Sequence, residues 1–555
     1  MAEIMTGKMA LLEMLKAEGV THIFGNPGTS EAPIIDMLPD YPEFTYIMAL
    51  QESVAVGMGE AYARATQKPS LVSLHVDSGL ANGIALMLDA LNSGTPMVVT
   101  SANYDIRKVV EGTTDLAELV KPVTKWSIQL THPDQIPGAI RRAFNEANTH
   151  PKGPVYIGLT ANALEDSAEM NIIPSRYTSD KIRPDLDSIE QAADSLIKAE
   201  NPVLIVGDRV SDDDAVGEAV RLAEMLGLPA YQFRGAEVSF PTTHKQYLGI
   251  LNLRNSANRE SLKACDTVIA VGMNAFEELF YWGDVILNEE STLIHIDSSA
   301  VNIGKSEPTN IGIISHCKMG LQELNHNVSD KMRTIDSSII EKRLQRTLDE
   351  KKYKQDSFVE STKNKWNDKP MSVARMMHEF VAGLPENAVV VDDSISNRAI
   401  VREYLEGIER GDIVGYRGQS IGGGIGVTMG AQCGYPDRKV FGLIGDGSAM
   451  MTVQGLWTAV NDNIPCVFVI LNNGMYRVLK VNFNIYQQDI LNVEPAGGSL
   501  PYSDFPSPFD MAAIAKSMGM ESERITDPED IKDAVVRASK LDKPVLLDIV
   551  IDGSL

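Results

Sequence analysis

The sequence predicts an α/β protein built from three doubly wound parallel-sheet units. Three observations carry that expectation. Short apolar runs rich in Val and Ile alternate with helix-length segments along the chain, the pattern of parallel strands covered by helices on both faces. A chain of 555 residues, 44% hydrophobic and 23% charged, is too long for one core and has apolar area for several. Two of the apolar runs, 439–444 and 466–471, end in small polar clusters, Gly445-Asp446-Gly447 and Asn472-Asn473. Open parallel sheets carry their ligand sites at such strand ends.

The units follow in order. The opening "MAEIMTGKMALLEMLKAEGV" reads as an amphipathic helix; it lacks the basic stretch and unbroken apolar run of a signal peptide. The first unit, 1–170, contains "HIFGNPGTSEAPIIDML", "SLVSLHVDSGLANGIALMLDAL", "PMVVTSAN" and "PVYIGLTA". A polar segment from "SAEM" to "RPDLD" reads as a linker. The central unit, 185–328, has strands at "NPVLIVGD", "DTVIAVG" and "STLIHID". Residues 329–370 are highly charged, a helix that gives way to solvated linker. The last unit, 371–555, has its first strand at "NAVVVDDS" and its last at "PVLLDIVID". No internal repeat is visible, although units one and three can share a fold without showing it. A formal charge of −25 argues against nucleic acid or an anionic membrane as partner. No apolar run reaches transmembrane length. Four cysteines without CxxC spacing suggest neither zinc nor disulfides, and fit a reducing cytoplasm.

The two polar clusters carry the chemistry. An aspartate (Asp446), an asparagine amide oxygen (Asn473) and a nearby backbone carbonyl make an oxygen-only donor set suited to Mg²⁺. Gly445 and Gly447 permit close backbone approach. Gly447-Ser448 opens a helix whose free N–H groups attract phosphate. The bland alternative is two turns that punctuate two strands. A dinucleotide fold is the competing explanation for "GQSIGGGIGVTMG", but Val427 stands where that fingerprint needs glycine.

GDG, 24 intervening residues and NN resemble the motif of thiamine diphosphate enzymes. The stretches "GNPGTSEAPIIDML", "YIMALQESVAVGMGEAYARATQKPSLVSLH", "TKWSIQL" and "PKGPVYIGL" resemble the benzoylformate decarboxylase and acetolactate synthase-like superfamily. The resemblance is strong in the first and third units and weak in the central one. It implies that Asp446, Asn473 and the backbone carbonyl of Met475 hold Mg²⁺. Glu52 matches the glutamate that shares a proton with N1′ of the aminopyrimidine; an apolar setting would raise its pKa, and its alternative is a helix-start glutamate capped by its own backbone. Ile421 aligns with the aliphatic wedge between the cofactor rings, and the Gln419 carbonyl with the acceptor for the 4′-amino group. Ser394 and Ser396 would hold the diphosphate or cap a helix.

The same resemblance implies decarboxylation of a 2-oxo acid through a C2 ylide and an enamine, which is then protonated to an aldehyde or captured by a second carbonyl. His75, 23 residues after Glu52, matches the decarboxylase's proton-relay histidine, which the synthases lack. Thr29 falls at the decarboxylase's substrate serine; otherwise it caps the helix beginning at Glu31. The second histidine of the decarboxylase has no counterpart in "GMNAFEELFYWGD", where Leu279 or a neighbour stands. Asp77 reads as a tuner of His75 or, more simply, a solvated turn residue. Phe276, Phe280, Tyr281 and Trp282 read as core or as pocket lining. Three functions follow: a 2-oxo acid decarboxylase, a carboligase or lyase acting on 2-hydroxy ketones or aldehydes, and a silent structural paralogue. Acidic residues after the glycine turn in "VLIVGDRVSDDDAV" argue against bound flavin. The resemblance further implies a homodimer or homotetramer with each site shared between subunits.

Overall fold

The computed structural model describes the chain except residues 1, 108–113, 177–180, 234–235, 275, 277, 279, 284, 335, 408–411, 416–419 and 496–499. The Val- and Ile-rich runs form three six-stranded parallel sheets. Their central strands, such as Ser70–Leu74, Met97–Asn103 and Val467–Asn472, are buried at every residue. Helices cover both faces, so these strands read as continuous apolar runs rather than alternating ones.

The first sheet runs Thr45–Met48, His22–Gly25, Ser70–Leu74, Met97–Asn103, Pro154–Thr160, Trp126–Leu130. The third runs Ile413–Gly415, Val389–Asp393, Val440–Gly445, Val467–Asn472, Val545–Val550, Glu521–Ile525. Counted within each unit, both have the order 2-1-3-4-6-5. The two units share one topology with no visible repeat, because a sheet needs buried apolar residues at a given spacing and not particular ones. The central sheet has the order 3-2-1-4-5-6 of dinucleotide folds.

The chain start differs from its expected form. Glu3–Thr6 is a strand, paired antiparallel with Ser167–Met170, and the helix begins only at Gly7. Ser167–Met170 in turn belongs to the segment read as linker. A four-residue strand has no period of its own to read, and its partner lies far along the chain. Between the central and last units, Ser337–Lys363 is a single long helix capped by Asp336.

Glycine spacing joins the first and third units. Helix Gly424–Gly434 lies against helix Glu52–Thr66. A Cβ on Gly426 would fall 2.7 Å from the Val54 carbonyl oxygen, one on Gly430 2.1 Å from that of Met58, and one on Gly434 2.4 Å from the Ala65 Cβ. Within the glycine-rich stretch, Gly426 and Gly430, with Gly434 beyond it, therefore form a helix-packing groove, whereas a Cβ on Gly422 would meet Met451 and one on Gly424 Asp393. Gly430→Val is expected to prise the units apart and cost about 1–3 kcal/mol or more, read as a lower urea midpoint. Arg64 adds a polar tie. It is buried, pairs with Glu237 of the central unit at 3.0 Å and donates to the Gly415 carbonyl of the third at 2.6 Å.

Candidate active site

The ends of strands Val440–Gly445 and Val467–Asn472 meet through hydrogen bonds. Asp446 Oδ2 accepts from the Gly474 N–H at 2.8 Å and Oδ1 from the Gly447 N–H at 2.9 Å. Gly474 has φ +68°, a conformation that favours glycine. The asparagine pair divides its work. Asn472 faces inward and donates to Asp548 Oδ1 at 2.8 Å, whereas Asn473 Oδ1 accepts from the Met475 N–H at 3.1 Å beside Asp446. Burial pushes the Asp446 carboxyl up to about 6, partly offset by its two N–H donors, with the Asp548 charge adding to the rise. A buried carboxylate held this way, beside an amide oxygen, fits a hard divalent cation. The glycines differ in need. A Cβ on Gly447 would strike the Tyr476 ring at 2.5 Å, but one on Gly445 would meet nothing closer than 3.9 Å.

The neighbouring loop is built around a residue that the sequence reading did not single out. Buried Asp393 accepts at Oδ2 from Ser448 Oγ at 2.6 Å and from the Gly424 N–H at 3.2 Å. The Ser448 hydroxyl also accepts from the Gly422 N–H at 2.8 Å. Ser394 Oγ donates to Asp392 at 2.6 Å, and neither Ser394 nor Ser396 caps the short turn and helix that follow, which replaces the capping alternative. Gln419 lies outside the described residues. Ser420 is tied to the first unit, its N–H donating to Asp89 at 3.0 Å. Between these anchors Ile421 stands 46% exposed, as an aliphatic group meant to touch something outside the fold would be.

Burial pushes the Asp393 carboxyl up to about 7 from 3.8. Between those values the folded protein keeps a proton that the unfolded chain has released. The penalty therefore grows from pH 3.8 upward and is complete above about pH 7. Asp393→Asn is expected to raise the melting temperature of the cofactor-free protein above pH 7 and to change little near pH 4. The gain is on the order of a few kcal/mol.

The first unit supplies two more acidic groups. Glu52 begins its helix, but Gln51 Oε1 provides the cap, accepting from the Val54 N–H at 3.1 Å. The self-capping alternative is thereby removed. Buried Glu52 instead accepts from Asn26 Nδ2 at 2.9 Å and Asn82 Nδ2 at 3.0 Å. Its setting is thus amide-lined rather than apolar. The second acid is Glu31, which sequence reasoning missed. It is 1% exposed and accepts from the N–H groups of Gly28 and Ala102 at 3.0 Å each and from His75 Nδ1 at 2.9 Å. Its position three residues after Gly28, from which its carboxylate reaches back to the Gly28 N–H, was the available signal.

With Nδ1–H given to Glu31, a neutral His75 ring leaves Nε2 as a proton acceptor. The backbone crowds this ring: a Cβ on Gly28 would sit 2.0 Å from Nδ1, and one on Gly79 2.7 Å from the His75 Cβ and 3.1 Å from Glu52 Oε1. Gly79 thus places His75 and Glu52 on two sides of one small space. Thr29 is exposed, and neither its turn nor helix Ala32–Met37 has a side-chain cap, so the capping alternative falls. Asp77 stands in the turn before its helix with φ +53°; it is half-buried, and its Oδ1 is buried with no hydrogen-bond partner among the described residues. No hydrogen bond ties it to His75 among the described residues.

In the aromatic group, Phe276 is core, edge-on to Phe233. Leu279 lies outside the described residues. Trp282 lies under the Arg259 guanidinium at 4.0 Å, and Arg259 pairs with Asp489 beyond helix Arg477–Ile485, so Trp282 faces the segment that follows the asparagine pair. In the central unit, Asp208 accepts from the Glu237 N–H and Arg209 is paired with Asp297 at 2.6 Å. Among the described residues, no helix is long and apolar enough to cross a membrane.

The comparisons with known proteins agree with this geometry. The chain matches the thiamine pyrophosphate enzyme family in all three parts: the N-terminal TPP binding domain over residues 5–121, the central domain over 189–324 and the C-terminal TPP binding domain over 411–549. It belongs to the benzoylformate decarboxylase and acetolactate synthase-like superfamily of thiamine diphosphate-dependent enzymes. Among its relatives, a benzoylformate decarboxylase of Pseudomonas aeruginosa is 28% identical, covering 97% of this chain and 98% of its own. A probable acetolactate synthase large subunit of Methanocaldococcus jannaschii is 26% identical, covering 99% of this chain and 92% of its own. The structure of a thiamine diphosphate-dependent 4-hydroxybenzoylformate decarboxylase from Rhodococcus jostii superposes with a TM-score of 0.82 at 26% identity, over 99% of both chains.

Proposed function

We propose that this enzyme decarboxylates a small 2-oxo acid and releases the aldehyde, with thiamine diphosphate and Mg²⁺ as cofactors. The observation that carries the reading is the His75–Glu31 pair, which holds an imidazole with Nε2 available beside Glu52. Bound thiamine diphosphate supplies the carbon nucleophile and the electron sink. Asp446, the Asn473 amide oxygen and the Met475 carbonyl hold Mg²⁺. The backbone at Gly445, Gly447 and Ser448, with Ser394 and Ser396, surrounds the diphosphate. Ile421 would pack against the bound cofactor, the Gln419 carbonyl would accept from its amino group, and Glu52 would share a proton with its pyrimidine. Thr29 offers a hydroxyl to the substrate carboxylate. His75 Nε2 would take up a proton from water and pass it to the substrate-derived carbon, so that the product leaves as an aldehyde.

A specific observation favours a second reading, carboligation: residues 273–284 contain no histidine, so one proton-relay position of the decarboxylase is unfilled. The two readings differ in product. Incubation with a panel of 2-oxo acids, pyruvate and benzoylformate first, and product analysis by NMR decides between them. Free aldehyde supports decarboxylation; a coupled 2-hydroxy ketone with little aldehyde overturns it. Flavin is not part of the proposal, because the strand-end loop of the central unit presents Asp208 and an arginine already committed to Asp297. A yellow protein would refute that point.

Glu31→Gln is expected to lower turnover at least about 10-fold. A carboxamide can turn its NH₂ toward Nδ1, which then needs the other tautomer and protonates Nε2. The pH–rate profile should shift as well, a change that loss of packing alone would not produce.

The proposed assembly is a homodimer or homotetramer with the site shared between subunits. Its support is the set of half-exposed apolar side chains on the two cofactor-binding units, Leu50 and Leu88 of the first and Ile421, Met451 and Leu479 of the third, which a lone chain leaves in water.

A further inference from the structure

A second constellation lies away from every residue assigned above. His150 follows helix Ile136–Asn148 of the first unit. Asp213 closes helix Asp208–Asp212, and His316 precedes helix Cys317–Lys331, both in the central unit. One donor atom from each lies within 4.8 Å of the other two. The side chains are 6%, 1% and 6% exposed.

The distances discriminate between two explanations. His150 Nε2 is 3.4 Å and His316 Nε2 3.6 Å from the same oxygen, Asp213 Oδ1. A good N–H···O bond is about 2.7–3.2 Å, so neither contact is an optimised hydrogen bond. In a tetrahedral zinc site, with ligands about 2.0–2.1 Å from the metal, neighbouring donor atoms stand roughly 3.3–3.4 Å apart. The two histidine-to-aspartate separations are close to edges of such a tetrahedron, and the third donor pair lies within 4.8 Å. The rings meet edge-on, at 86° with centroids 5.9 Å apart, and each brings Nε2 near the same carboxylate oxygen.

The surroundings match a metal site. The second oxygen of Asp213 accepts from the Cys317 N–H at 2.7 Å, which fixes the carboxylate. His150 Nδ1, the ring nitrogen away from Asp213, faces Ser298 Oγ at 3.4 Å, a loose polar contact by the same distance criterion. Two imidazole nitrogens and one carboxylate oxygen suit Zn²⁺ rather than Mg²⁺, which takes an oxygen-only shell. No fourth His, Cys, Asp or Glu joins the group among the described residues, so water completes the shell.

We propose that His150, Asp213 and His316 form a zinc-class site that pins the first unit to the central one. The site is separate from the Mg²⁺–diphosphate site and has a structural role. Its absence from the sequence reading is natural: the ligands are 63 and 103 residues apart and fit no short-range spacing.

The test uses the full-length protein, stripped with a chelator and then reloaded with Mg²⁺ and thiamine diphosphate. Addition of Zn²⁺ should restore about one tightly held ion per chain, measured by plasma mass spectrometry, and raise the melting temperature. Co²⁺ in its place should give the intense visible bands of a tetrahedral site. His150→Gln should weaken Zn²⁺ binding about 100-fold or more and remove those bands, while Mg²⁺-dependent cofactor binding persists. A wild-type protein that binds no Zn²⁺ at stoichiometric concentration, or a His150→Gln protein that binds it equally well, overturns the proposal. The wild-type Co²⁺ spectrum decides the matter even where the variant does not fold.

Discussion

Glu52→Gln is expected to lower turnover by about 10²–10⁴-fold, the range for loss of a positioned proton-transfer group. Folding and cofactor affinity should change far less. The carboxamide is nearly isosteric, and its oxygen can still accept from one of Asn26 and Asn82. What it cannot do is share a proton with the pyrimidine. Steady-state kinetics on the substrate identified by product analysis, with cofactor titration beside it, separates the two effects. An unchanged turnover would remove Glu52 from the chemistry. The same variant tests the shared site. Glu52→Gln and Asp446→Asn proteins, each impaired alone, are expected to regain about a quarter of wild-type activity on mixing with subunit exchange. Half of the dimers are then mixed, and each mixed dimer carries one intact site of two. No recovery would place Glu52 and Asp446 in the same chain's site.

Asp446→Asn is expected to abolish Mg²⁺-dependent cofactor binding at working concentrations, and turnover with it. Asp446 is the only charged donor in the proposed set, so its loss leaves two neutral oxygens to hold a strongly hydrated dication. The apo protein should meanwhile become no less stable, because a carboxyl that burial raises to about 6 is a cost to the fold near neutral pH. Calorimetric titration with thiamine diphosphate in excess Mg²⁺, set against the melting temperature of the apo protein, reads both changes. Retained binding would move the metal away from Asp446. Loss of binding together with collapse of the apo fold would make Asp446 a structural residue.

Parts of the site were legible because one short segment supplies them. Asp446, Asn472 and Asn473 stand at strand ends, where an apolar run followed by small polar residues can be read locally. Gly426, Gly430 and Gly434 were legible as glycines but not in purpose, since what crowds them, Val54, Met58 and Ala65, belongs to another unit. Glu31 and Asp393 were missed because a carboxylate gains significance only from its burial and donors, and these come from Ala102, His75, Gly424 and Ser448. The strand Glu3–Thr6 was missed for the same reason, its pairing partner being Ser167–Met170.

The sequence by itself determined the α/β class, the three sheets and the strand-end residues, because apolar periodicity and turn chemistry act over a few residues. Only the tertiary structure decided that the first and third sheets share one topology and that Gln51 rather than Glu52 caps its helix. It also decided that Glu31 turns the His75 ring and that two histidines from different units converge on Asp213. The physical reason is common to all of these: hydrogen bonds and metal ligation depend on distances of about 2–3 Å, and residues far apart in the chain acquire such distances only when the units pack.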